Sequence, residues 1–364
     1  MNHSLSAEDR LPKEVNIRMT LGHTLRYGIS PDQAAGSYDV TYNFDGEKYI
    51  VEDMFELVDG LGIGYNNTTD ILGAAKYLNA FGSMPGYFFA STKHGNACGA
   101  SYDTRSKKRA ITGAETSDGF APYGGIMVAN FRIGAGIAEH IARRKTRSRR
   151  DYRDILISSE GFTDRAIQIL QSVQKRKMQL VHFKKYDQIP FDVDPRRGLV
   201  QEATSYSYDL ERSKLEFVTK TEPTRKELNS MLILERMVRP VQSNAVLVGY
   251  REGTNVRTFG VGGPMSKRVD AAEHAVDVMS APEFTTDCQL SNFDHRRKHP
   301  LDGDGPVQSA SDGPYPYIDS VERQHEAGVT QFMQPGGSVG DNSCIKYCNI
   351  HGLVMVLTRK RCFA

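Results

Sequence analysis

The sequence predicts an α/β protein, on three observations. Apolar runs of strand length recur along the chain, among them Tyr87–Ala90, Ile126–Ala129 and Asp154–Ile157. Between them lie stretches with apolar residues at helical spacing, such as Leu72, Ala75 and Leu78, and the segment Leu228 to Met237. Glycine-rich connections join the two kinds of segment. At 364 residues the chain is long enough for two domains or one duplicated one, each able to bury a core.

Charged residues make up 25% of the chain and the net charge is +2, so nothing overall suggests a nucleic-acid partner. There is no 18-residue apolar run, and Met1 to Arg10 is too polar for a signal peptide. The expectation is a soluble, cytoplasmic protein with no membrane partner. Five cysteines (Cys98, Cys288, Cys344, Cys348, Cys362) are odd in number and scattered, which fits reduced thiols. Cys344 and Cys348 stand four apart in a predicted helix with no second ligand pair, so buried thiols are expected and no metal.

In chain order, residues 1–20 read as a flexible lead, 21–195 as one half and 196–364 as a second. The boundary falls in the Pro-, Asp-, Ser- and Thr-rich stretch 187–225. Residues 60–81 read as a glycine-rich loop and then a helix, with Thr69 or Asp70 available as its cap. Gly60-x-Gly62-x-Gly64 superficially suggests a dinucleotide loop. Its spacing is wrong for one and no strand clearly precedes it, so that reading is rejected.

Ser91-Thr92-Lys93-His94-Gly95-Asn96-Ala97-Cys98-Gly99 then breaks the apolar run before it, as a loop leaving a strand does. Lys93 and His94 would face opposite ways in a continuing strand, whereas a turn brings both into one pocket. An ammonium beside an imidazole disfavours its protonation, which suits a general base. A surface lysine and a loop histidine without chemistry describe the same residues equally well.

Further on, Gly124-Gly125 before a strand allows backbone to approach a flat ligand, or forms a tight turn. Arg143–Arg150 is the strongest charge run. Without interleaved aromatics it reads as a solvated face. Asn244 lies at the start of a strand, and Phe259–Asp270 is a glycine-rich loop feeding a helix, suited to an anion.

Lys-His-x-Asn-Ala-Cys-Gly resembles the active-site loop of the AICAR transformylase family, the C-terminal part of the bifunctional purine-biosynthesis protein that also carries IMP cyclohydrolase. Matching segments follow in the family's order over roughly residues 21–364. They are Leu25-Arg26-Tyr27-Gly28, Ser117–Asn130, Arg239–Val248, Phe259–Asp270, Ala310–Asp319, Gln334–Ser338 and His351–Phe363. About two dozen residues precede the first segment, which is too few for the cyclohydrolase domain.

The resemblance implies a cytidine-deaminase-like three-layer α/β/α fold in two similar halves, and a homodimer with active sites at the interface. The zinc deaminases sharing that fold need His-x-Glu and Pro-Cys-x-x-Cys, and this sequence has neither. It implies formyl transfer from 10-formyltetrahydrofolate, as co-substrate, to the amine of AICAR. His94 takes the place of the general base, with Lys93 and Asn244 stabilising the oxyanion and protonating the leaving group.

By position, Arg26, Tyr27, Gly124, Gly125, Glu160, Arg268, Asn292 and Arg361 fall to the substrate. Asp312, Pro314, Asp319, Pro335 and Gly336 fall to the folate. The sequence departs from the family at Asp32, Pro264, Pro314 and Ile318. Those departures leave open a formyltransferase of specialised metabolism acting on another amine, or a non-catalytic nucleotide-binding paralogue.

Overall fold

A computed structural model describes residues 6–30, 32–51, 54–60, 62–118, 125–147, 155–172, 178–184, 189–280 and 305–364. Gly124, Asn292, Cys288 and Ser148–Arg150 lie outside the described residues.

The first described element is a short helix, α1 (Ala7–Arg10), which Ser6 and Asp9 close with a capping box. An antiparallel meander follows, β1 (Val15–Thr24), β2 (Gly36–Phe44) and β3 (Glu47–Val51). β1 runs through residue 20, so the last six residues of the expected lead are strand. Met19, Leu21, Tyr38 and Ile50 are exposed on this meander, and Phe44 anchors it by packing edge-on against Phe191.

The body of the protein is one 12-stranded sheet built from two runs of elements with the same succession. The first run is β4 (Phe55–Asp59), α2 (Tyr65–Phe81), β5 (Tyr87–Lys93), β6 (Asn96–Asp103), α3 (Lys107–Glu115), β7 (Ile126–Ala129), α4 (Ala135–Arg147), β8 (Ile155–Ser158), α5 (Asp164–Ser172) and β9 (Gln179–Phe183). A two-stranded ribbon, β10 (Phe191–Asp194) and β11 (Leu199–Glu202), separates it from the second run. That run is β12 (Glu216–Phe217), α6 (Arg225–Val238), β13 (Val246–Glu252), β14 (Asn255–Gly262), α7 (Arg268–Ser280), β15 (Val307–Ser311), α8 (Asp319–Glu326), β16 (Val329–Gln334), α9 (Asp341–Ile350) and β17 (Val354–Leu357).

The strand order is β12-β17-β16-β15-β13-β14-β6-β5-β7-β8-β9-β4. It reads alike from both ends, and the two hairpins meet in the middle through the antiparallel pair β14–β6. Outward from each hairpin come one antiparallel neighbour, two parallel strands and an antiparallel edge strand.

Side-chain alternation explains the layering. On β5, Phe88 and Ala90 enter a core shared with Ile71, Tyr77 and Phe81 of α2 and with Leu234 and Met237 of α6. Phe89 points the other way, into the core of α3, α4 and α5. On β13, Leu247 joins the first core, while Val246 and Val248 join that of α7, α8 and α9. Strands covered on both faces read as continuous apolar runs, which is why Tyr87–Ala90 and Ile126–Ala129 carry so plain a signal.

Four local expectations need correction. A strand, β4, does precede the glycine loop at 60–64, since Phe55–Asp59 alternates too weakly to show it. Helix α2 starts earlier than read: Gly64 is its cap, without a side-chain hydrogen bond, and Thr69 and Asp70 lie inside it. Helix α4 continues through Arg147, so the charge run, which the sequence places beyond a helical stretch, starts within the helix. Gly260 and Gly262 belong to β14, where a Cβ would collide with the carbonyls of Ala275 and Ala271 on α7. They admit the helix backbone onto the sheet. Cys344 and Cys348 are buried on α9, as the spacing predicts.

Candidate active site

Sheet register sets which residues share an edge. Lys93 pairs with Asn96 across a two-residue turn, His94-Gly95, with φ of 49° and 75°. Two consecutive left-handed residues make the tight hairpin turn that fits strand twist. Lys93 is therefore the last residue of a strand and His94 the first of the turn. Thr92 pairs with Ile126, which puts Gly125, buried, beside the same end.

Since β14 runs antiparallel to β6, its end at Gly262 points toward Asn96. Val246 pairs with Gly262 and Ser311, Ala310 with Met333, and Gln334 with Leu357. The residues following those strand ends, Asp312, Pro335, Gly336 and Arg361, thus lie along the edge that carries Lys93 and His94.

A polar link joins the two hairpins there. Asn96 accepts a hydrogen bond from the Gln242 N–H at 2.8 Å, and its amide reaches Gln242 Oε1 at 3.4 Å. Gln242 stands two residues before Asn244, so the turn of the first half is tied to the Asn244 loop of the second.

The Asn244 side chain is fixed from both sides. Its Nδ2 donates to the Met265 carbonyl at 3.0 Å and toward that of Ser266 at 3.3 Å, and its Oδ1 accepts from Arg268 at 2.7 Å. Arg268 is buried, and its guanidinium also donates to Asp312, to Ser311 Oγ at 2.8 Å and to the Ala245 carbonyl at 3.2 Å. Its charge is met inside the protein by Asp312. The sequence assigned Arg268 to substrate, whereas every hydrogen bond named here serves the loop.

Asp312 is buried as well. Oδ1 accepts from Arg268 and from the Ala245 N–H, while Oδ2 has no hydrogen-bond partner among the described residues. A bare, buried carboxylate oxygen is costly and calls for a donor. Gly313, the next residue, lies against the Arg268 guanidinium and the Phe363 ring, leaving no room for a side chain. Pro314 is half-buried, and Asp319 opens α8 with Oδ1 bonded to the Ser320 N–H. The buried Pro335 and Gly336 lead into an exposed turn, where Arg361 donates to the Gly337 carbonyl at 3.1 Å.

Helix α2 carries the remaining parts. Tyr27 packs against Gly64 at its N-terminus and accepts a hydrogen bond from the Tyr65 N–H at 3.0 Å, and Arg26 lies exposed over the Tyr27 ring. An exposed guanidinium beside a helix start that has no side-chain cap suits an anion. Farther along the helix, Asp70 Oδ1 is 3.9 Å from His94 Nδ1, and Gly73 lies under Gly95.

One predicted residue stands apart. Glu160 follows β8 beyond Ser158, at the end of the sheet opposite Lys93, and accepts from the Arg132 N–H. Cys98, near Lys93, has its thiol pushed up to about 11, chiefly by burial and further by Asp118, with Lys93 opposing, so it stays a neutral thiol at physiological pH. Sequence reasoning missed Gln242 and took Asp70 for a cap. No spacing within one segment signals a contact made across the fold.

Residues 1–278 match the family described as AICARFT/IMPCHase bienzyme. Three relatives carry the name bifunctional purine biosynthesis protein PurH. The protein of Persephonella marina is 28% identical over the whole chain, that of Chlorobium luteolum 32% over 93% of it, and that of Aquifex aeolicus 27% over 98%. The chain spans 63%, 58% and 62% of their respective lengths. With more than half its length matched, the chain belongs to the AICARFT/IMPCHase bienzyme family.

Proposed function

We propose that the chain transfers a formyl group from 10-formyltetrahydrofolate to the amine of AICAR, on a cytidine-deaminase-like fold of two halves. The observation that carries this reading is the Asn96–Gln242 link, which holds the Lys93-His94 turn beside the Asn244 loop on one sheet edge. Family membership supplies the reaction class.

The acceptor amine is a weak nucleophile, its lone pair delocalised into the imidazole ring. As its nitrogen bonds to the formyl carbon, His94 takes the amine proton. The carbonyl oxygen gains negative charge, which Lys93 and the Asn244 amide stabilise. For Asn244 this means trading its longer contact, to Ser266, for the oxyanion. The bond from the formyl carbon to the folate N10 then breaks and N10 receives a proton. In this reading Lys93 gives it.

Arg26 at the start of α2, with Tyr27 beside it, and the exposed Arg361 supply positive charge for a 5′-phosphate. The unpartnered Oδ2 of Asp312 supports a donor that presents N–H groups, as a pterin does, with Pro314, Asp319, Pro335 and Gly336 around it. Gly125 supports close approach of the flat acceptor.

The His94 side chain is 90% exposed. A base that must work away from bulk water needs a cover, and the exposed apolar residues of the meander favour a second copy of this chain, so the working form is a homodimer. The test is tetrahydrofolate release from purified protein given AICAR and 10-formyltetrahydrofolate, beside a His94→Ala variant. Turnover that falls by roughly 10²–10⁴-fold in the variant, with an unchanged circular dichroism spectrum, is expected. Unchanged turnover removes His94 as base, and binding of AICAR without formylation by the wild-type chain overturns the reading.

A further inference from the structure

We infer that Asp70 positions the base: it accepts the Nδ1 proton of His94 and so turns Nε2, with its lone pair, toward the acceptor. The inference rests on the formyl-transfer reading for its chemistry, and on two observations of its own for its geometry.

The first is the placement of the carboxylate. Asp70 lies inside α2, its side chain 27% exposed, and its Oδ1 stands 3.9 Å from His94 Nδ1. Burial raises its carboxyl above the usual aspartate range, and the His94 imidazole is the group that pulls it back. A part-buried carboxylate inside a helix costs stability unless something uses it. Among the described residues, the charged groups at this corner include Asp70 on α2, Lys93 on β5 and Asp118, which acts with Lys93 on Cys98. Lys93 cannot hold a proton on Nδ1, because an ammonium donates and does not accept. The gap is about 1 Å longer than a hydrogen bond of roughly 2.9 Å, and the exposed ring is free to turn and close it.

The second is the seat beneath the turn. A Cβ on Gly73 would stand 2.8 Å from the Cα of Gly95. Glycine in a helix interior is less favourable than alanine. Here it lets the His94-Gly95 turn rest on the helix, one turn along from Asp70. His94 sits in the left-handed region with φ of 49°, so the turn conformation also aims its side chain at α2. A surface ion pair formed by chance would need neither the gap at residue 73 nor the part-buried carboxylate.

A neutral imidazole with its proton on Nδ1 presents Nε2 as base, and a carboxylate on Nδ1–H stabilises the imidazolium formed when Nε2 takes the amine proton. Asp70 touches no substrate in this scheme and acts through His94.

The experiment separates this from formyl transfer as such. Protein labelled with ¹⁵N-histidine, wild-type and Asp70→Asn, is followed by two-dimensional NMR, with His94 assigned by its loss in His94→Ala. The wild-type imidazole is expected to hold its proton on Nδ1, and the variant to move it toward Nε2. In parallel, the acid limb of kcat/KM is expected to move to lower pH by roughly half a unit or more in Asp70→Asn. The value of kcat should drop by about tenfold with KM little changed, and Asp70→Glu should restore part of it.

Gly73→Ala, which lifts the turn while leaving both side chains intact, should reproduce the tautomer change. An imidazole whose tautomer is the same in wild-type and Asp70→Asn overturns the inference. A tautomer that moves in a chain without formyl transfer upholds the pairing while the formyl-transfer reading falls.

Discussion

Asn96 and Gln242, 146 positions apart in the chain, meet through a 2.8 Å hydrogen bond from the Gln242 N–H to Asn96 Oδ1. Asn96 also closes the two-residue turn that holds His94, and Gln242 leads into Asn244. One side chain thereby couples the proposed base to the proposed oxyanion loop.

Asn96→Ala should therefore cost activity beyond its cost in stability. Loss of the two contacts is expected to lower the unfolding free energy by about 1–2 kcal/mol. Formyl transfer should fall more than tenfold, because the turn and the Asn244 loop lose their common fastening. Urea denaturation and steady-state turnover on the same preparation check both halves of the expectation. Full activity at reduced stability would make the link merely structural.

Arg268 and Asp312 form a buried ion pair, and removing one partner strands the other charge away from water. Arg268→Ala and Asp312→Ala should each destabilise the protein by roughly 3–5 kcal/mol. If Arg268 instead bound a phosphate directly, Arg268→Ala would chiefly raise KM for the nucleotide. Urea midpoints beside KM values decide between the two.

Gly260 and Gly262 let α7 lie directly on β14. A methyl group there meets the carbonyls of Ala275 and Ala271, so Gly260→Ala and Gly262→Ala should each cost at least about 1–3 kcal/mol. Gly46→Ala serves as a control, since no described residue lies within 4 Å of the added atom and the positive φ of 96° is what penalises it. Thermal denaturation should place both strand variants below the control.

The described thiols give a pH signature. Burial pushes Cys98, Cys344 and Cys362 up to about 11 and Cys348 to about 12, from 9.0. The unfolded chain loses these protons first. Their contribution to stability is thus complete below pH 9.0 and is lost as pH rises toward 11. Urea midpoints should fall between pH 9 and 11, with a shallower slope in Cys98→Ser. Iodoacetamide at pH 8 should label these four positions at least tenfold more slowly in the native than in the unfolded chain.

Much of this protein was legible one segment at a time. Apolar runs marked β5, β7, β8 and β13 because strands covered on both faces must be apolar throughout. Helical spacing marked α2 and α6, and the motifs around Lys93, Asn244 and Asp312 marked the segments that converge on one edge. Phe55–Asp59 stayed hidden because an edge strand is covered less completely and need not be apolar.

What belonged to tertiary structure was the use made of each residue. Arg268 looked like an anion ligand, and the fold turned it inward onto Asp312. Glu160 looked like a neighbour of the site, and the parallel run of β7 and β8 carried it to the far end of the sheet. Asp70 looked like a cap, and the left-handed turn at His94 brought the imidazole to it. A sequence records which groups are available within a few residues of one another. Strand register and the direction of each crossover decide which groups, dozens of residues apart, come close enough to share a proton.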